Sequence, residues 1–119
     1  MTYVPKVDDF VFMAIIDNPT AMSLITKVSE NGFVYIPVSS TFAERTLDYK
    51  SNEYQYITKD SLVSFADTAT KYGAISLYVT VSNKHGKKKN AKTYIQKLKE
   101  YIMKNYTITE AELKPGGTS

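Results

Sequence analysis

Cysteine is absent from this chain of 119 residues, tryptophan is absent, and histidine and arginine occur once each, as His85 and Arg45. The lack of cysteine excludes a disulfide framework, a thiolate zinc or iron–sulfur site and a cysteine nucleophile. It also points to a reducing compartment, so the expected location is cytoplasmic. With one histidine there is no pair to hold a metal, and no carboxylate cluster takes its place. Asp8, Asp9 and Asp17 bracket an apolar run, where solubilising and capping roles are expected of them rather than a cation site. The same three acids interrupt the apolar N-terminal stretch, which argues against a signal peptide. The longest apolar run, Phe10 to Ile16, has seven residues, far short of a membrane span. Gly32, Gly73 and Gly86 are isolated and Gly116-Gly117 lies in the tail, so there is no glycine-rich phosphate loop. No serine or threonine sits in a nucleophile motif. The expectation is a protein that is not an enzyme, with no catalytic residue, no metal and no cofactor.

What is present is a normal globular composition, 43% hydrophobic and 23% charged, enough for one domain with its own core. Fourteen of the fifteen basic residues are lysine. Arginine is the residue that grips carboxylate, phosphate or guanine edges bidentately, so this chain is ill-suited to base-specific reading of duplex DNA. Lysine serves loose phosphate attraction. The charge is also uneven. Residues 1–83 carry six basic and nine acidic side chains, whereas residues 84–119 carry nine and three. Lys84, Lys87, Lys88, Lys89, Lys92, Lys97, Lys99 and Lys104 face a single Glu100 over residues 84–104. Such a patch attracts polyanions with a salt-dependent strength; the bland alternative is a solvated loop and helix face.

Along the chain, residues 1–9 read as a lead-in and Phe10–Ile16 as a buried strand. Asp17 or Asn18 with Pro19 opens a helix whose stripe is Ala21, Leu24, Ile25 and Val28, and Gly32 closes it in a left-handed position. Phe33–Val38 alternates as a strand, placed at an edge by Pro37. Thr46–Lys50 is expected to pair with Glu53–Thr58 as a hairpin, in preference to a helical turn at Thr41–Glu44. A second helix spans about Asp60–Tyr72, striped by Leu62, Phe65, Ala66, Ala69 and Tyr72, and stopped by Gly73. Ile75–Val81 alternates as a strand. Residues 82–90 are a basic loop, with His85 surrounded by water. A third helix runs from about Ala91 to Asn105, with Tyr94, Ile95, Leu98, Tyr101 and Ile102 on one face. A short element is expected at Thr107–Leu113. The fold class is thus α+β, a single domain of residues 1–119: an α+β core at 10–83, a basic loop and helix at 84–106, and a flexible tail at 114–119. The expected arrangement is a split β-α-β, ferredoxin-like two-layer sandwich with an additional C-terminal helix. The alternative is a small, partly closed β-barrel with peripheral helices, PUA-like.

The ten tyrosines are the second signal. On these strand phases Tyr35, Tyr54, Tyr56 and Tyr78 share the sheet face opposite the aliphatic one. Exposed aromatics beside lysines stack bases in single-strand binders; burial under the third helix, or use as a dimer interface, competes with that reading. The segments "FVYIPV" and "YITKDSLVSFA" resemble the N-terminal region of SseB-like proteins, where a helix leads into a strand ending in "VP" and a later strand carries a threonine before the next helix. The resemblance transfers no residue role. In size and lysine-rich style the chain also looks like small accessory proteins of Gram-positive phages and conjugative plasmids. The expected function is a small binding or regulatory protein that contacts RNA or single-stranded nucleic acid. Lys84, Lys87, Lys88, Lys89 and Lys92 would supply charge, and Tyr35, Tyr54, Tyr56 and Tyr78 stacking. The alternative is a protein–protein adaptor or inhibitor, homodimeric through the tyrosine face or an edge strand.

Overall fold

A computed structural model describes residues 3–13, 22–50 and 62–113. The chain divides into two compact units, Met1–Thr68 and Ala69–Ser119. The first is a five-stranded antiparallel sheet made of β1 (Phe10–Met13), β2 (Met22–Ser29), β3 (Gly32–Pro37), β4 (Arg45–Asp48) and β5 (Leu62–Ser64), followed by one helical turn, α1 (Phe65–Thr68). The second holds α2 (Lys71–His85), a 3₁₀ turn (Lys89–Ala91), α3 (Lys92–Tyr106) and α4 (Glu110–Leu113). The α+β class is therefore observed. Its arrangement among the described residues is an open strand order, β4-β3-β2-β1-β5, in which consecutive strands β1 to β4 are antiparallel neighbours.

The largest departure from the sequence reading is at residues 22–29, which form a strand and not a helix. Leu24 pairs with Phe10 and Ile36, and Ile25 with Tyr35, so both are buried on opposite faces of a central strand. The register then shifts between Ile25 and Lys27. The extra residue, Thr26, turns the phase over, which places Val28 on the same face as Ile25. An apolar pattern at 24, 25 and 28 is what a helix stripe shows, and a bulged strand shows it too. The Thr26 hydroxyl donates to the Val34 carbonyl at 3.3 Å across the bulge.

One face of the sheet gathers Val11, Ile25, Phe33, Tyr35, Leu47 and Leu62 into a core, with Tyr3 and Tyr49 packed against it. Phe33 lies 5.7 Å from Tyr35 and 6.2 Å from Tyr49, ring centre to ring centre. The lead-in belongs to this sheet as well. The Asp8 N–H donates to Ile25 O (2.8 Å), the Ile25 N–H donates to Asp9 O (2.9 Å), and the Asp9 carboxylate accepts from the Tyr3 hydroxyl. Pro37 does not mark an edge strand: β3 lies between β2 and β4, but the β4 pairing stops at Tyr35–Arg45, so Pro37 lies past it and interrupts no ladder. Thr46–Asp48 is a strand as expected, paired with β3; Glu53–Thr58 lies outside the described residues.

The expected helix at 60–72 is instead β5 followed by α1. Leu62 and Ser64 pair with Met13 and Val11, and Phe65 packs on Phe12 with ring centres 5.4 Å apart. The expected strand at 75–81 is the middle of α2. Thr70 caps that helix: its hydroxyl accepts from the Gly73 N–H at 3.0 Å. Gly73 is therefore in the first helical turn and stops nothing. Ala74, Val81 and His85 are buried along one face, which holds the helix together against its β-branched content. The third helix stands as read. Tyr94, Leu98, Tyr101 and Ile102 are buried along α3. Thr107, at φ 51° and ψ 52°, ends α3 in the left-handed position usual for glycine. The Ile108 N–H closes the end on Met103 O at 3.2 Å. The short element expected after it is α4, opened by a reciprocal capping box: Thr109 N–H to Glu112 Oε1 at 3.1 Å and Glu112 N–H to Thr109 Oγ1 at 3.4 Å.

Gly32 opens β3 and is required by close approach, not by a left-handed backbone: a Cβ there would lie 1.8 Å from the Leu47 carbonyl oxygen. Gly32→Ala is expected to push β4 off β3 and remove about 1–3 kcal/mol of stability, read as a lower urea midpoint; an unchanged midpoint contradicts the close approach. Thr107→Gly is expected to act in the opposite direction. It relieves about 1–2 kcal/mol of left-handed strain and loses about 0.5–1 kcal/mol to backbone entropy, leaving a small rise in melting temperature; a fall would count against the strain.

Candidate nucleic-acid interface

The basic segment of the sequence becomes the hairpin turn between α2 and α3. α2 carries Lys84 and His85 in its last turn, where positive charge suits the carbonyl end of a helix. Gly86 N–H bonds to Ser82 O at 2.8 Å, Lys88 N–H to His85 O at 2.9 Å and Ala91 N–H to Lys88 O at 3.2 Å, so the turn is a continuous backbone-bonded strap. Neither the 3₁₀ turn nor α3 has an acidic residue in its first turn or a side-chain cap. Lys84, Lys87, Lys89 and Lys92 are exposed, and Lys88 is half-buried.

Two of the remaining lysines of this unit are neutralised by α4. Glu110 pairs with Lys99, and Glu112 with Lys71 at 3.1 Å. The Lys99 ammonium is held above its ordinary pKa, first by the hydrogen bond to Glu110. The Glu112 carboxyl is held below its ordinary value, first by the Thr109 backbone N–H, then by Lys71 and the Thr109 hydroxyl. Two of the three acids of the unit thus sit on α4, the third being Glu100 on α3, and no ion pair engages the turn lysines among the described residues.

His85 does not hang in solvent. It is 5% exposed, and its Nδ1 lies 3.1 Å from Lys88 Nζ. An ammonium only donates, so Nδ1 accepts and the proton of the neutral ring sits on Nε2. Burial, then Lys88 and Lys84, hold its pKa below the ordinary 6.5. The sequence contained a signal for this: His85 follows Val81 by four residues and Ala74 by eleven, the spacing of one helical face.

The tyrosines are not brought together. Tyr35 is 7% exposed and lies in the sheet core, while Tyr78 is half-buried on α2, so the two do not share a sheet face. Tyr54 and Tyr56 lie outside the described residues. The phase has a plain cause: the Phe33–Tyr35 face of β3 packs the core, whereas the alternation of the sequence alone points to the aliphatic Val34–Ile36 face as the interior. The most exposed aromatic among the described residues is Tyr72, at 83%, expected to be in a buried stripe. In the sheet unit an open groove of about 330 Å3, lined by Lys27, Ser29, Val34, Thr46 and Asp48 among others, lies beside the β2–β3 turn. Among the described residues no group of three or more histidine, aspartate or glutamate side chains is placed to hold a metal, and no helix is long and apolar enough to cross a membrane.

No protein-family model matches the chain, and no curated protein and no solved structure matches it. The likeness of "FVYIPV" to SseB-like proteins also loses its lead-in, because the residues before that strand are β2 and not a helix.

The His85 shift has a definite sign for stability. With a folded pKa below the unfolded 6.5, the unfolded chain binds the proton more readily. The stabilisation is complete above pH 6.5 and is lost as pH falls below it. His85→Asn, which keeps an acceptor and does not titrate, is expected to flatten the slope of melting temperature against pH between about 7.5 and 5.5. An equal slope in both proteins would show that other groups set it.

Proposed function

We propose that the chain is a small non-enzymatic cytoplasmic protein that binds RNA or single-stranded nucleic acid through the α2–α3 turn. The observation that carries this reading is the sorting of charge in the second unit. Lys84, Lys87, Lys89 and Lys92 stand exposed around one turn with no carboxylate partner among the described residues, while Glu110 and Glu112 engage Lys99 and Lys71 elsewhere. Several ammonium groups on a short strap repel one another, and a phosphate chain relieves that repulsion by displacing its own counterions. Lysine gives attraction without the planar fork that reads base edges, which favours a flexible single strand over a specific duplex site. The tyrosine stack of the sequence reading has no part in this, since Tyr35 is core and Tyr78 is helical.

The test is a fluorescence-anisotropy titration with mixed-sequence single-stranded RNA at several salt concentrations. Binding is expected at low salt and is expected to weaken as salt rises. Replacing Lys84, Lys87, Lys89 and Lys92 by glutamine is expected to leave the melting temperature near that of the parent. It should reduce the slope of log K against log salt by about 0.7 for each lysine that engages a phosphate. No binding at low salt, or an unchanged slope in the variant, defeats the reading.

A further inference from the structure

The β2–β3–β4 end of the sheet has a face that the core does not use. Register sets Lys27, Val34 and Thr46 level with one another across the three strands, and Ser29, Gly32 and Asp48 level in the next row. Both rows lie on the face opposite Phe33 and Leu47, which belong to the core. They line the open groove of about 330 Å3, a size at the small end of ligand clefts, which run from about 300 to 1,000 Å3. Val34 is its half-buried floor, and Gly32 brings no side chain to stand between Ser29 and Asp48. Lys27, Ser29, Thr46 and Asp48 are exposed at its corners.

These corners are sorted by chemistry. In the Gly32 row both accept. The Ser29 hydroxyl donates its proton to Gly32 O at 3.2 Å, so its oxygen faces other groups as an acceptor. The Asp48 carboxylate is held by the Lys50 N–H at 2.9 Å. A carboxylate offers about four acceptor positions, so a further donor adds to the bonds it already makes. In the Val34 row both corners have protons to give. Lys27 enters no ion pair among the described residues, and the Thr46 hydroxyl carries a donor. The unlike charges stand at diagonal corners. Two strand spacings of about 4.8 Å and two residues of about 3.4 Å put the Lys27 and Asp48 Cα atoms about 12 Å apart.

We propose that this groove binds a dipeptide zwitterion, with the peptide ammonium between Asp48 and Ser29 and the peptide carboxylate between Lys27 and Thr46. A simple anion would meet Asp48 as well as Lys27, and a simple cation would meet Lys27 as well as Asp48. A neutral sugar would leave both charges to water. Only a ligand with one charge of each sign matches both corners. In a single amino acid the two charges share one carbon, too close together to reach diagonal corners. In a dipeptide they lie about 5–6 Å apart, because one further Cα spacing of about 3.8 Å separates them. An ordinary hydrogen bond of about 3 Å at each end and the flexible Lys27 stem span the rest. In this pose the second residue lies over Val34, which suits an aliphatic side chain, and the first lies over Gly32, where the backbone can approach closely. The site belongs to the sheet unit alone, and its fate is independent of the polyanion reading of the α2–α3 turn.

The experiment titrates the full chain, labelled with nitrogen-15, with glycylleucine and follows the amide resonances. Saturable shifts at Gly32, Val34 and Thr46 in the millimolar range are expected. N-acetyl-glycylleucine, which lacks the ammonium, and glycylleucinamide, which lacks the carboxylate, are each expected to bind about two- to fivefold more weakly, as the loss of one exposed ion pair implies. Two variants assign the charges. Lys27→Gln is expected to weaken glycylleucine by the same factor and to leave glycylleucinamide unchanged. Asp48→Asn, which keeps an acceptor for the Lys50 N–H, is expected to weaken glycylleucine and to leave the N-acetyl form unchanged. Both side chains are exposed, so the melting temperature of each variant should stay near that of the parent. Absence of shifts at these amides at tens of millimolar ligand overturns the proposal. So does a variant that weakens all three ligands alike, because the charges would then not pair as stated. Maltose is the neutral control: if it shifts the same amides at the same concentration, the groove does not select a zwitterion and the proposal falls.

Discussion

Leu24 and Ile25 are adjacent in β2 and both buried, one on each face of the sheet. That double burial is the constraint on which the first unit depends. A strand with core on both sides has no solvent face, so its neighbours have to supply apolar partners in register above and below it. Val11, Phe33, Tyr35, Leu47 and Leu62 do so on the Ile25 face, and Phe10 and Met22 are buried on the Leu24 face. Each such side chain contributes about 1.5–3 kcal/mol when fully buried, against a net stability of about 5–15 kcal/mol for an ordinary domain. A slip of one residue would exchange the two faces everywhere at once. The bulge at Thr26 and the close approach of Gly32 to Leu47 are what let one register satisfy both faces, because they bend the β2–β3–β4 end without breaking the pairing.

The same features explain what the sequence did and did not disclose. α3 was legible because its apolar residues keep helical spacing over four turns with lysines between them. β1, β3 and β4 were legible because their β-branched and aromatic residues come in short runs between turn residues. β2 was not, because the extra residue at Thr26 converts an alternating pattern into a helix-like one. α2 is hidden for the mirror reason: Ile75, Leu77, Val79 and Val81 alternate as a strand would, and the β-branched Ile75, Val79 and Val81 disfavour helix. Local propensity lost there to a good cap at Thr70 and to burial of Ala74, Val81 and His85. Reading α2 as a strand puts Tyr78 on a sheet it does not belong to. The candidate site fared differently. The lysine cluster is a property of residue order and needed no fold, whereas the burial of His85 needed α2 to be a helix.

α4 is only four residues long, yet it decides which lysines of the second unit stay available. Its capping box holds Glu112 in place for Lys71, and Glu110 reaches Lys99. With those acids committed, no ion pair engages the lysines of the α2–α3 turn among the described residues. A surface of this kind has opposed responses to ionic strength. Unbound, its ammonium groups repel across distances comparable to the Debye length of about 8 Å at physiological salt, so added salt screens the repulsion and favours the folded hairpin. With an anion bound, the same salt competes for the lysines and favours release. If the turn takes up a polyanion as proposed, the arrangement is most stable alone where it binds least, and binds best where its electrostatic strain is greatest.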